Sequence, residues 1–473
     1  MVHPRHYGRP VETDYHVVGA GTAGLSFVDS LLDADPHADV VLVDRRPGPG
    51  GHWLDGYPFL RLHLPSAMYG VESTRLGSST IQTHGTEVGL YDRASGAEVC
   101  AYYDRLVRER FLGSGRVRYL PMTESVGDGR VRSLVTGAVS AVVARRATVD
   151  ATRNASEVPE SFPPPFAVDE GVRWVTPTGL TRLKERPDGY VVIGSGKTGQ
   201  DTCVWLLEQG VAAENIGWVR PRDVWTLQRR YFQVDDLVQL SVEGLALQVE
   251  ALAAASDLDD AYARLERDGV MLRLDPEVRP TMCKGGSLSD YEVGLLRQIR
   301  QVIRLGHVRR ITPDRILLDD GEVPTGPGVV HVHCAAPGLP SGPGSPVFAD
   351  GQVTLGIVTR VSISLSAAMI ARVQVEDLPL EVKNHLCPTP LHLDGLAGYF
   401  SLLLSGLGAE LAWRGHPGLR SWLEGARLNV TRREPGRETD PELHELGRRI
   451  GGCVEAAAAN LARISRGPSP PNA

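Results

Sequence analysis

Tyr15-His16-Val17-Val18-Gly19-Ala20-Gly21-Thr22-Ala23-Gly24 is an apolar strand-like run that ends in three spaced glycines and opens an amphipathic helical pattern. The same order recurs at Tyr190-Val191-Val192-Ile193-Gly194-Ser195-Gly196-Lys197-Thr198-Gly199. In this setting the first glycine permits the strand-to-helix turn and the second lets a pyrophosphate approach the backbone. The third lets helix and strand pack closely, with the anion held at the positive helix N-terminus. Two such units imply two bound dinucleotides, and two dinucleotides imply electrons passing between them. The fold class expected is α/β, with two Rossmann-like dinucleotide-binding domains.

Working outward, the first helix is expected from about Ala23 to Leu32, then a strand Asp39–Val43 ending in Asp44. A carboxylate there would accept bonds from adenosine ribose hydroxyls, with Arg45 beside it. Further on come a helix around Tyr102–Phe111, a strand Val117–Leu120 and a meander over Leu134–Val149. The run Pro163-Pro164-Pro165 cannot enter a sheet interior and marks the crossing into the second unit. There a helix over about Thr198–Glu208 and a strand Ile216–Val219 are expected. Helical sequence over Val234–Asp268 follows, able to cap a pocket. Ser289-Asp290-Tyr291-Glu292 has the pattern of a capping box, and Val308–Ile311 with Arg315–Leu318 leads to an Asp320-Gly321 turn. The run Val329–Val332 is read as a return to the first sheet. The expected division is therefore 1–165 with 325–385, 170–324 with a helical insertion, and a helical segment 386–473 whose tail around 467–471 is disordered.

Composition excludes several classes. The chain has 473 residues, 42% hydrophobic and 23% charged, which suits a globular protein of two or three domains. A formal charge of −7 without a basic run argues against a nucleic-acid partner. No apolar signal core precedes Glu12 and Asp14, and the apolar stretch Ala397–Ala409 is short of the roughly 20 residues of a membrane helix, so no membrane partner and a cytoplasmic location are expected. The six cysteines are scattered, with no Cys-x-x-Cys pair. His331-Val332-His333 has strand spacing for a metal pair but lacks further ligands, so no metal is expected.

Gly50-Gly51-His52-Trp53, then Tyr57-Pro58 with Arg61 and His63, lie between the two glycine motifs. With these elements in this order the chain resembles the flavin-containing monooxygenase superfamily over about its first 340 residues. The resemblance implies FAD at Gly19, Gly21, Thr22, Ala23, Gly24, Asp44 and Arg45. It implies that Gly51, His52, Trp53 and the following loop line the isoalloxazine ring, with NADPH at Gly194, Gly196, Lys197, Thr198 and Gly199. The second domain would be inserted in a discontinuous first one.

Baeyer–Villiger members of the family have an aspartate, and N-oxidising members an asparagine, where His63 stands. An imidazole titrating near neutral pH could bond a peroxide or shuttle a proton; a loop histidine bonded to backbone is the plainer alternative. Arg61 is a candidate charge stabiliser or a structural ion-pair partner, and Trp53 a flavin contact or a core aromatic. The strand Ile216–Val219 ends in Arg220-Pro221-Arg222, whose guanidiniums could bind a 2′-phosphate and so favour NADPH over NADH; solvated surface arginines are the alternative. The family's linker histidine fingerprint is replaced by Ser161-Phe162-Pro163-Pro164-Pro165-Phe166. The resemblance implies oxygen insertion from O₂ into a small-molecule substrate through a C4a-(hydro)peroxyflavin, with amines or amino acids suggested by the family's breadth. The alternative is an NAD(P)H-dependent flavoprotein oxidase or reductase without oxygen insertion. Oligomeric state is not legible.

Overall fold

The computed structural model describes residues 10–154, 156–338, 344–360, 362–389, 395–432 and 440–465. The chain start and the 467–471 tail, on which the signal and disorder expectations fall, lie outside these.

Two mainly parallel sheets organise the molecule. The first runs Phe348–Ala349, Gln352–Thr354, Val139–Asp150, Val11–Val18, Val40–Val43, Val117–Leu120 across its main path. Val11–Val18 lies between Val40–Val43 and Val139–Asp150, parallel to both, so the strand order reverses direction beside the first glycine loop. That is where crevices open in doubly wound sheets. The second sheet runs Gln301–Ile303, Ile216–Val219, Gly189–Ile193, Val329–His333, Trp174–Val175, all parallel. Its second glycine loop leaves the middle strand, Gly189–Ile193.

These strands read as continuous apolar runs because helices cover them. Val40–Val43 is buried at every position, and so is Ile216–Val219. The helix Thr22–Ala34 packs between its sheet and the helix Ile363–Val375, and Ser26 Oγ donates to Ser364 O at 2.8 Å.

One topological expectation is corrected. Val329–His333 does not return to the first sheet; it pairs with Gly189–Ile193 and Trp174–Val175 in the second. The chain re-enters the first sheet with the hairpin Phe348–Ala349 and Gln352–Thr354, the second strand lying against Thr148–Asp150. So short a run, three valines and a histidine, fits either sheet equally, and periodicity could not choose between them.

The C-terminal helices join cores instead of forming a separate one. Gly395–Gly415 gives Ala409 and Trp413 to the core of the first sheet. It gives Tyr399, Phe400, Leu403 and Leu407 to a second core beneath the helix Val238–Ala254. Two helices, Asp235–Ala254 and Gly395–Gly415, are long and apolar enough by composition to cross a membrane, longer than the Ala397–Ala409 stretch suggested. Both bury residues in these cores. His331 and His333 are held by backbone: His331 Nδ1 lies 3.0 Å from Arg173 O and His333 Nε2 3.1 Å from Phe162 O.

Candidate active site

The two glycine loops are built alike. Gly19 and Gly194 have φ of 106° and 131°, a region costly for any side chain. A Cβ on Gly24 would stand 1.9 Å from Gly19 O, and one on Gly199 would stand 2.1 Å from Gly194 O, so helix and turn touch backbone to backbone. The middle glycines differ. Gly21 has φ −83° and its Cβ would meet only Gly51 Cα at 3.6 Å; Gly196 has φ −73° and its Cβ would meet nothing within 4 Å. Neither helix that follows has a side-chain cap or an acidic residue in its first turn. The leading amides of both are therefore left to an anion.

Around the first loop, Gly50 N donates to Ala20 O at 2.8 Å, seating the Gly50-Gly51 turn against Gly21. Thr22 Oγ1 accepts from Tyr103 OH at 2.9 Å, and Ala23 is buried. Asp44 is buried, but its oxygens already accept from Ala20 N at 2.6 Å and Arg46 N at 2.8 Å. The carboxylate braces the loop, leaving its remaining lone pairs for a ribose. Arg45 is exposed. His52 and Trp53 lie in a short turn with ring centroids 5.2 Å apart, Trp53 packed on the first core. Burial first, and Arg46 second, pull His52 down to about 4.

The loop after Tyr57 docks on the second unit. Tyr57 OH donates to Asp201 Oδ2 at 2.7 Å, and Phe59 stacks on Trp205 at 4.8 Å and 14°. Both partners lie on Lys197–Glu208, the helix that opens with the second glycine loop. Thr198 hydrogen-bonds Tyr57 as well. Lys197 does not reach toward a pyrophosphate: its ammonium pairs with Asp201 and lies 3.8 Å from Glu292.

Behind this contact is a buried ion network that sequence reasoning did not find. Arg229 Nη1 lies 2.6 Å from Glu87 and its Nη2 2.7 Å from Glu292, while Arg93 Nη2 lies 2.6 Å from Glu87 and 3.3 Å from Glu292. Arg229 Nε and Ser287 Oγ both donate to His63 O, at 2.9 and 2.5 Å. Glu87, Arg93 and His63 precede the crossing between units; Arg229, Ser287 and Glu292 follow it. The cluster is a staple between them. Arginine is so common in this chain that no local signal marks these two.

Arg61 is not part of it. Its side chain is exposed and donates to Arg93 O at 2.9 Å, leaving the charged role to Arg93 beneath it. His63 is in the network's field. Burial first, then Lys197, pull its imidazole down to about 3, with Arg93 and Arg229 adding to the effect. Against the neutral-pH titration expected of it, burial and these cations favour the neutral imidazole at pH 7.

Two outcomes follow for the histidines whose pKa is depressed. His63→Asn should leave the shape of any activity–pH profile between pH 5.5 and 8 unchanged; loss of a limb would place the titration back on His63. His16 is fully buried with both ring nitrogens unpartnered among the described residues, and burial holds it near 4. A depressed pKa contributes stability above about 6.5 that is lost as pH falls toward 4. At pH 5 the loss is about 2 kcal/mol. Chemical denaturation of His16→Leu at pH 7.5 and pH 5 should show that acid penalty removed.

At the end of Ile216–Val219, Arg220 is buried, lies over the Trp218 ring at 4.9 Å and pairs with Asp223. Arg304 also binds Asp223, at 3.0 Å. Arg222 is exposed. Of the two candidate arginines, only Arg222 is presented to solvent.

Three comparisons bear on this arrangement. An NAD(P)-binding Rossmann-like domain model matches residues 17–58, the first glycine loop through Tyr57. Uncharacterized protein Rv2000 of Mycobacterium tuberculosis is 43% identical over 423 residues, covering 89% of this chain and 78% of the relative. The chain belongs to this family. Uncharacterized protein Mb2023 of Mycobacterium bovis matches with the same identity and coverage. Among solved structures, an open crystal structure of cyclohexanone monooxygenase is similar with a TM-score of 0.50 at 16% identity, over 86% of this chain and 99% of that one. This chain thus has the two-domain fold that the paired glycine motifs implied.

Proposed function

We propose that this chain is an FAD-dependent, NADPH-using monooxygenase that inserts one oxygen atom of O₂ into a small molecule. The observation that carries the reading is the pair of uncapped glycine loops on two parallel sheets, joined through Tyr57–Asp201 and Phe59–Trp205. The residues fit the cofactors. Gly21 and Gly196 leave the anion approach open, and the uncapped helix ends supply donors. The first loop would hold FAD, with Asp44 at the ribose and the Gly51–Trp53 turn beside the ring; the second would hold NADPH. Bound FAD supplies hydride acceptance and oxygen activation. The protein's share is to hold the two nucleotides in reach, exclude water, and keep His63 neutral as a hydrogen-bonding partner. The Tyr57–His63 loop, clamped on both sides, sets that geometry.

Purified protein tests this directly. It should be yellow, bleach with NADPH, and place labelled oxygen from ¹⁸O₂ in the product. Bleaching followed by stoichiometric H₂O₂ with the true substrate would establish the oxidase or reductase instead. That second reading is favoured by one observation: Lys197 is paired with Asp201 and Arg61 donates to Arg93 O, so both cations expected near the reacting groups are engaged within the protein.

Cofactor choice has its own test. Arg222→Ala should raise KM for NADPH by about tenfold, the worth of one charge-assisted phosphate contact, and change that for NADH less than twofold. Equal effects would show that Arg222 does not read the phosphate.

A further inference from the structure

Three tyrosines pack on the core beside the first glycine loop, and two of them are fully bonded. Tyr103 OH donates to Thr22 Oγ1 at 2.9 Å; Tyr102 OH donates to Thr74 O at 2.6 Å and accepts from Val71 N at 2.9 Å. Tyr119 OH is sealed from solvent and has no partner among the described residues. Burying a hydroxyl strips its hydration, and the loss is recovered only when a bonding group meets it. In the free protein nothing described here does so.

The place of Tyr119 in the sheet indicates the ligand. Val40–Val43 and Val117–Leu120 run parallel with Leu42 beside Tyr119, and Asp44 N donates to Leu120 O at 3.1 Å. Val117 and Tyr119 share the face of Val40 and Leu42, toward the core that Thr22–Ala34 also covers. The phenol thus stands one strand from Asp44, at the carboxyl end of the sheet, where doubly wound folds hold nucleotides. Burial first, then Asp44 and Asp104, raise its ionisation above the ordinary tyrosine range, so the oxygen keeps a proton to donate. Asp104 belongs to Gly96–Leu106, the helix that sets Tyr103 against Thr22 and roofs the glycine turn. A Cβ on Gly50 would stand 3.6 Å from Cys100 Sγ of that helix.

We infer that the Tyr119 hydroxyl donates to the adenosine half of the dinucleotide held by the first glycine loop, beside the Asp44 carboxylate. This rests on the reading of that loop as the FAD site. An accepting carboxylate and a donating phenol side by side match adenosine, whose ribose hydroxyls donate and whose ring nitrogens accept. FMN ends at its phosphate and would gain nothing from the contact, so Tyr119 helps the site select the adenine dinucleotide.

Flavin-stripped full-length protein is titrated with FAD by flavin fluorescence and with ADP by calorimetry. The ADP titration uses a Gly196→Val background, so that the second loop does not contribute. Tyr119→Phe should raise the dissociation constants of FAD and ADP about tenfold, the worth of one buried hydrogen bond, and change that of NADP⁺ in the parent background by less than about twofold. Melting temperatures separate a ligand contact from a structural one. Without flavin, Tyr119→Phe should melt no lower than its parent, since it loses no bond; with FAD bound it should melt lower. Unchanged affinity for FAD and ADP, or a flavin-free variant that melts clearly below its parent, would overturn the assignment to Tyr119. A parent protein that itself binds neither FAD nor ADP would instead remove the FAD reading of the first loop, and the assignment with it. None of these measurements needs turnover.

Discussion

Gly21→Val is expected to yield a folded protein without flavin. At φ −83° valine is unstrained, and its Cβ would meet Gly51 Cα only at 3.6 Å, an ordinary contact. What the branched side chain removes is the space in which a pyrophosphate would approach the amides of Thr22–Ala34. Retained flavin absorbance should fall below about a tenth of wild type, because displacing a phosphate from its amide donors forfeits several charge-assisted bonds. The melting temperature should match that of wild-type protein stripped of flavin. Gly196→Val is the matched control: flavin retained, with KM for NADPH raised tenfold or more. Gly24→Ala and Gly199→Ala are different, since their new Cβ atoms would stand 1.9 and 2.1 Å from backbone oxygens. They should fail as folds. A fully flavinated Gly21→Val would remove the first loop from the cofactor site.

Glu292→Gln should cost about 3–5 kcal/mol of stability, the usual penalty for leaving buried charges short of a partner. Arg93, Arg229 and Lys197 are balanced by Glu87, Glu292 and Asp201, all with side chains at most 12% exposed. Removing one carboxylate leaves an excess cation out of reach of water. Arg229→Met/Glu292→Met should lose clearly less than the sum of the single variants, since the pair is removed together. Burial pushes the Glu292 carboxyl up, but Arg229, Lys197 and Arg93 push it down further, well below its ordinary 4.5. Its contribution is therefore complete above about pH 4.5 and lost as pH falls below. Denaturant titrations at pH 7 and pH 4 would show this: the gap between wild type and Glu292→Gln should narrow in acid. An unchanged gap would mean the network is not ionised as drawn.

The same residue shows how far local reading reaches. Ser289-Asp290-Tyr291-Glu292 was legible as a capping box, and Glu292 Oε2 does accept from Ser289 N at 2.8 Å. Its other partners, Arg93 and Arg229, lie 199 and 63 positions away. No spacing rule connects them. Likewise Lys197 sits inside a motif that suggested a phosphate contact, yet its ammonium is held by Asp201 one helical turn on. His63 was singled out from its place in a loop, but what favours its neutral form is burial first and then Lys197, Arg93 and Arg229, all fixed by segments distant in sequence.

Sequence alone determined the two nucleotide units, because glycine at the first and third of the spaced positions is a backbone requirement and at the second leaves room for an anion. A turn with positive φ and a helix touching its own entry strand can be met by almost nothing else, and both are visible one residue at a time. The tertiary structure alone decided which sheet received Val329–His333, which arginines were buried, and which carboxylates they met there. Those outcomes depend on pairing energies and electrostatic fields between segments far apart along the chain, which fall off with distance in space and leave no periodic trace in sequence.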